Sequence, residues 1–465
     1  MIPPSRSEVR AAGDGARDFL GHPRGLAVLF ATEAWERFSY FGNAALVVLY
    51  MVKYLLEPGR VETVLGFDAV KAALEFLFGR LDPQPLASQI FGFYTGLAYF
   101  MPVLGGLIAD RLLGQRRTVI IGGVLMAIGH FMMAFETLFL GALLMLILGI
   151  GAFKPNISTQ VGSLYPPGDD RRDRAYSIFY LGINIGAFLA PLVCGTLAVQ
   201  YGWHAGFGAA GIGMLVGLGI YVGGQRTLPP DALPQARTLA EKKPLGPGER
   251  RAVFTLIVVC ALVTMFWAAY DQQGNTLVLW AEDFTDRSID LLVWRGEVPS
   301  TWFLALNPLM IFIFTPLIVR LWARQGQQGT ELSAISKMAF GCLCVACANL
   351  VMVAAAWTAA GKASALWLVG YFAIATIGEL HLAPVGLALV SKMAPARILS
   401  MMMGFWFAAT LPGDILAGFL GGFWSTMAKP DFFLMIASIA ALGSAAIWAT
   451  SRVARNQQAA APDRT

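Results

Sequence analysis

A chain of 465 residues that is 57% hydrophobic and only 14% charged is excluded from the water-soluble proteins, which carry about 25% charged residues. The formal net charge of +5 resides in the connections between apolar runs, so it calls for no nucleic-acid partner. What remains is an all-α integral membrane protein.

An apolar run of about 20 residues crosses a bilayer as a helix. Twelve such runs follow one another at 26–52, 88–109, 118–136, 138–163, 175–199, 205–224, 252–280, 301–323, 333–358, 364–391, 399–423 and 431–450. The first 25 residues carry Arg6, Arg10, Arg17 and Arg24 without an apolar stretch, so they do not read as a cleaved signal peptide. Seventeen of the 34 Lys and Arg residues fall in the connections after spans 2, 4, 6, 8 and 10 or, as Arg320 and Lys337 do, in the span turns next to them, against eight in the odd-numbered ones. Positive charge collects on the cytoplasmic side, which predicts that both termini are cytoplasmic. The connection after span 6 is the longest of that side, at about 27 residues. It divides the chain into a tail 1–25, a six-helix bundle 26–224, a linker 225–250, a second bundle 251–452 and a tail 453–465, the two-halves plan of a transporter.

After the loops are assigned, two basic residues stay within the membrane, Arg37 and Lys154, together with the acids Glu33, Glu36, Asp271, Glu379 and Asp414. Each charge at the membrane centre costs about 3 kcal/mol, so seven cost on the order of 20 kcal/mol unless they are paired or wet. In span 1, Glu33, Glu36, Arg37 and Tyr40 stand at i, i+3, i+4 and i+7, on one face, with Glu33 in the favourable order for an ion pair to Arg37. Two carboxylates that share one guanidinium in a low dielectric make a proton-binding device.

In span 4, Lys154 precedes Pro155, whose missing N–H makes the helix irregular, as is tolerated where a span lines a cavity. In the second half, Asp271 and Asn275 are expected on one face of span 7, Asn307 precedes Pro308 in span 8, and Glu379 lies in span 10. A cavity with cations in one half and carboxylates in the other suits a zwitterion with separated amino and carboxyl groups.

The remaining candidates read as structure. Cys342, Cys344 and Cys347 form no metal pattern, because positions 342 and 344 point about 200° apart on a helix. With Cys194 and Cys260 they are expected as buried packing thiols, and His130 and His381 as hydrogen-bonded packing.

The segments EAWERFSYFG, GGLIADRLLGQRR, FKPNIS, FYLGINIGAF and GELHLAPVGL closely resemble the proton-dependent oligopeptide transporter (POT/PTR) family of the major facilitator superfamily, over nearly the whole chain. The resemblance implies the major facilitator fold, with twelve transmembrane helices as two six-helix bundles. It implies a proton-coupled symporter of di- and tripeptides, multi-pass in the cell's inner membrane, functional as a monomer among membrane lipid. Protons are the coupling ion, and no cofactor or metal is implied. By position, Glu33, Glu36, Arg37, Lys154 and Asp271 match proton-coupling groups. Tyr40, Phe41, Tyr99, Lys154, Asn184, Asn307, Glu379 and Trp406 match the peptide pocket.

The chain departs from the family pattern in three of its spans. Tyr40-Phe41-Gly42-Asn43-Ala44 lacks a second phenol and an arginine; Asp271 replaces the usual glutamate; and Asp414 stands where asparagine is common. The alternatives are a transporter of another anionic or zwitterionic solute, and a non-transporting peptide sensor. An intramembrane enzyme has no readable nucleophile or metal pair.

Overall fold

A backbone amide in the bilayer core has no water to turn to, so a spanning segment satisfies its hydrogen bonds internally, as a helix. The computed structural model describes residues 17–166, 169–230, 246–291, 294–359, 361–395 and 398–459. The outer parts of the expected tails, 1–16 and 460–465, and residues 231–245 of the linker lie outside them. The first six long helices are α1 (Arg24–Tyr50), α2 (Pro83–Ile108), α3 (Gln115–Met132), α4 (Phe139–Ser163), α5 (Arg171–Tyr201) and α6 (Trp203–Gly224). The second six are α7 (Pro247–Tyr270), α8 (Leu306–Gln327), α9 (Ala334–Thr358), α10 (Leu366–Met393), α11 (Leu399–Ala408, continued by Thr410–Gly421) and α12 (Lys429–Ala459). Eleven of these spans are individually long and apolar enough to cross a membrane. The twelfth is α3, whose first turn of Gln115, Arg116 and Arg117 dilutes its hydropathy.

The helices follow the expected spans closely, with two corrections. Span 7 is not one continuous helix: α7 ends at Tyr270, a 3-10 turn covers Asp271–Gln273, and a short helix resumes over Thr276–Asp283. Gly274 and Asn275 are poor helix formers, and side chains at the break find tertiary partners. Gln272 donates to the Ala417 carbonyl at 2.9 Å and Asn275 accepts from Ser88 at 2.7 Å. Span 11 breaks at Ala409, because Pro412 has no N–H to give the carbonyl four residues back and its ring crowds that turn. Four small features are additional: an antiparallel pair of Arg17–Phe19 with His22–Pro23 before α1, a helix Phe67–Phe78 after it, an antiparallel hairpin of Ser288–Leu291 with Trp294–Glu297, and a two-residue parallel bridge of Thr285–Asp286 with Ala363–Ser364.

Within the first half α1 packs on α5 and α6, α3 on α4 and α6, and α4 on α2; within the second, α9 packs on α10 and α12, and α7 on α11 and α12. The halves meet where α2 lies along α11 and where α5 meets the 3-10 turn Ser300–Ala305 and α8. Helices in lipid gain by close packing of small residues, and glycine pairs set two of these crossings. Gly105 on α2 abuts the Gly151 carbonyl of α4, and Gly92 on α2 abuts Gly418 on α11.

Candidate functional site

The face predicted on α1 is buried: Glu33, Glu36, Arg37 and Tyr40 are all at most 5% exposed. Arg37 donates from Nε and Nη2 to the two carboxylate oxygens of Glu36, at 2.5 Å and 2.6 Å. Its separation from Glu33 is 3.5 Å, and Glu33 Oε2 has no partner. The expected primary pair, Glu33–Arg37, is thus the weaker one. The flexible arginine folds back along its own helix to offer Glu36 a planar two-bond fork, which outweighs the favourable four-residue spacing. The guanidinium also lies 4.9 Å from the centre of the Tyr40 ring, and Phe41 meets Tyr40 edge-on.

From α4, Lys154 extends its ammonium over the Tyr99 ring of α2 at 4.2 Å. It forms no salt bridge among the described residues; a cation on an aromatic face is held without being neutralised. Glu33, Glu36, Arg37 and Asp414 all lie within its electrostatic reach. The helix runs through Pro155, and Asn156 donates to the Ala152 carbonyl at 2.7 Å and to Gly105 at 3.4 Å. This side-chain bonding steadies the stretch where proline removes a backbone bond.

The second half supplies the carboxylates. On α10, Glu379 accepts at Oε2 from the Tyr270 hydroxyl at 2.6 Å and from Asn307 at 2.8 Å; Asn307 also reaches Thr376 at 3.1 Å. Asp271, at the α7 break, faces Asp414 of α11 within hydrogen-bonding reach. Asn275 is turned away to Ser88, so the shared face with Asp271 expected from spacing does not form. Asn184 is buried on α5 and donates to the Tyr180 carbonyl at 2.9 Å. Trp406 is buried at the α10–α11 crossing, its ring against Gly386.

Spacing alone had not placed three members of this site: Tyr270, Thr376 and Asp414. Tyr270 and Thr376 are ordinary helix residues until the fold brings them to Glu379. Asp414 had a signal, being one of the intramembrane acids, but nothing nearby in the sequence gave it a partner.

Hydrogen bonds between the two halves gather at the end away from the first residue of α1 and the last of α12. There Ser88 donates to Asn275, Gln84 reaches the Gly421 carbonyl at 3.0 Å, Thr301 reaches Pro191 at 3.1 Å and Trp302 donates to Thr196 at 3.0 Å. Lys53 pairs with Asp283 at 2.5 Å. At the opposite end Tyr180, one turn below Asn184, is 46% exposed.

His130 bonds to Ser39 at 2.5 Å and His381 to the Ile377 carbonyl at 2.8 Å, as packing histidines do. Four of the cysteines are buried, but Cys347 is exposed; its position on α9 turns it outward from the bundle, which corrects the expectation of a buried thiol.

The model of the POT family matches residues 116–236 and 234–440. The chain belongs to the POT family. It is 32% identical to the peptide transporter YePEPT of Yersinia enterocolitica subsp. palearctica, over 88% of this chain and 89% of that one. It is likewise 32% identical to a di-/tripeptide transporter of Lactococcus lactis subsp. cremoris, over 84% and 88% of the two chains. A crystal structure of the peptide transporter POT in complex with sulfate superposes with a TM-score of 0.82 at 30% identity, covering 97% of this chain and 98% of that one. A POT family transporter in complex with 5-aminolevulinic acid superposes at 0.81, with 26% identity over 94% and 98% of the chains. These structures carry the major facilitator fold of twelve membrane helices, and this POT-family chain shares it.

Proposed function

We propose that this chain is a symporter that carries a short peptide, a di- or tripeptide, together with protons across the inner membrane by rocking its two six-helix halves. The observation that carries the reading is the opposition of charge across the two halves: in the first a Lys154 ammonium without an ion pair among the described residues, and in the second a Glu379 carboxylate oriented through one oxygen by Tyr270 and Asn307. A peptide's carboxylate suits the first and its ammonium the second, each a charge held out of water by a preorganised partner. Tyr40, Phe41, Tyr99 and Trp406 supply aromatic walls, and Asn184 and Asn307 amide groups for the backbone. Glu33, Glu36, Arg37, Lys154 and Asp271 form the proton-coupling set.

With both termini on the cytoplasmic side, the end where hydrogen bonds join the halves faces the periplasm, and the arrangement is that of substrate release. The chain works as a monomer in lipid. A potential of 100 mV supplies about 2.3 kcal/mol per charge and one pH unit about 1.4 kcal/mol, enough for several-hundred-fold accumulation with one proton. The likeness to a structure holding 5-aminolevulinic acid, an amino acid with separated charged ends, favours a second reading in which other small zwitterions are also carried. Uptake of labelled dipeptide and of 5-aminolevulinic acid into proteoliposomes, with and without a proton gradient, decides between them; no concentration of either under a gradient overturns the symport reading.

A further inference from the structure

Asp414 is 2% exposed, and its Oδ2 has no partner. It faces Asp271, whose Oδ2 is likewise unpartnered. Two carboxyl groups can hydrogen-bond to each other only when one of them carries a proton, since an ionised carboxylate is an acceptor alone. Asp271 sits in the 3-10 turn after α7, and Asp414 in the second turn of the Thr410–Gly421 part of α11.

Asp414 also lies on the contact between the halves. A Cβ on Gly92 of α2 would meet the Asp414 carbonyl oxygen at 2.5 Å, and one on Gly96 would meet the Asp414 Cβ at 3.2 Å. The nearby charged and titratable groups come from several elements. Lys154 of α4 is the cation within electrostatic reach of Asp414; Tyr40 of α1 and Tyr99 of α2 lie near it. Glu379 and Tyr371 of α10 and Tyr270 of α7 stand near Asp271. Arg37 is occupied by Glu36. Lys154 is thus the cation available to a newly charged Asp414, and it belongs to the other half of the molecule.

We propose that Asp414 is a further proton-carrying group of this transporter, sharing a proton with Asp271 in a carboxyl pair that sits on the contact between the halves. The proposal rests on the symport reading above. When the pair gives its proton to water, two like charges are left face to face. Asp414 then draws on Lys154, the same ammonium that a peptide carboxylate uses. Proton loss and release of the peptide's carboxyl end are thereby linked through one competed cation. A neutral asparagine at this position keeps the shape and a hydrogen bond to Asp271, but holds no exchangeable proton of this kind and cannot compete for Lys154.

The test is Asp414→Asn, reconstituted in proteoliposomes beside the wild-type chain. The membrane potential at which peptide flux reverses gives the number of protons carried per peptide. The ratio should fall by about one proton in the variant. A free-carboxylate dipeptide should bind several-fold more tightly at neutral pH, with its C-terminally amidated analogue unchanged. If the variant transports too slowly for a reversal measurement, a pH indicator counts the protons exchanged by purified protein on peptide binding, and that count should drop in the same way. An unchanged proton count in the variant overturns the proposal and leaves symport standing. A wild-type chain that moves no protons with peptide overturns both.

Discussion

Arg37 places Nε and Nη2 on the two oxygens of Glu36 and reaches Glu33 from the same Nε at 3.5 Å. The two carboxylates of the α1 motif are therefore inequivalent. Glu36 is committed to the cation, while Glu33 keeps an oxygen without a partner among the described residues.

This division predicts different costs for two similar replacements. Glu36→Gln removes the bidentate partner of a buried arginine, a change worth about 3–5 kcal/mol, of which Glu33 recovers part by moving in. Glu33→Gln removes a single longer contact and should lower stability much less. Thermal unfolding in detergent should rank them in that order, and the reverse ranking rejects the assignment. Replacing both should abolish gradient-driven uptake while leaving peptide exchange.

Glu379 is oriented through Oε2 by Tyr270 and Asn307. Glu379→Gln should weaken binding of peptides with free amino termini by about 2–5 kcal/mol, the cost of removing one partner of a buried charge pair. N-acetylated peptides should lose far less. Equal losses in calorimetry or competition binding would count against this contact.

Lys154 rests on Tyr99 without an ion pair among the described residues, so Lys154→Ala should abolish transport. An ammonium is a point charge and lacks the two-pronged fit of a guanidinium, so C-terminal amidation should be tolerated comparatively well. Ala44 is partly exposed, and Ala44→Arg should tighten free-carboxylate dipeptides selectively. A folded variant with no preference between free and amidated dipeptides sinks this idea.

At the closed end, α2 and α11 approach so nearly that a side chain on Gly92 would strike the Asp414 carbonyl. Gly92→Leu should wedge the halves apart there. Overpacking of this kind costs about 1–3 kcal/mol, a population shift of about five- to 150-fold away from the closed end. Uptake should fall by that order while the purified protein still binds peptide. A variant that transports normally shows that this crossing does not set closure.

Hydrophobic length and charge cost act along the chain with no need of distant partners, so the membrane class, the twelve spans and the charges left inside them are legible in the residues alone. So is the α1 motif, whose residues are neighbours on one helix. The break in span 7 was not legible. Apolar continuity through residues 276–281 reads as helix, and only Ser88 and Ala417, held on other helices, offer the side-chain bonds that divert it. Which glutamate holds Arg37 was likewise a matter of side-chain geometry, since both lie within reach along the chain. The pairing of Tyr270 with Glu379, and of Asp271 with Asp414, belongs to the tertiary structure alone. These residues are more than a hundred positions apart, and no local periodicity distinguishes a buried acid that meets a phenol from one that meets another acid.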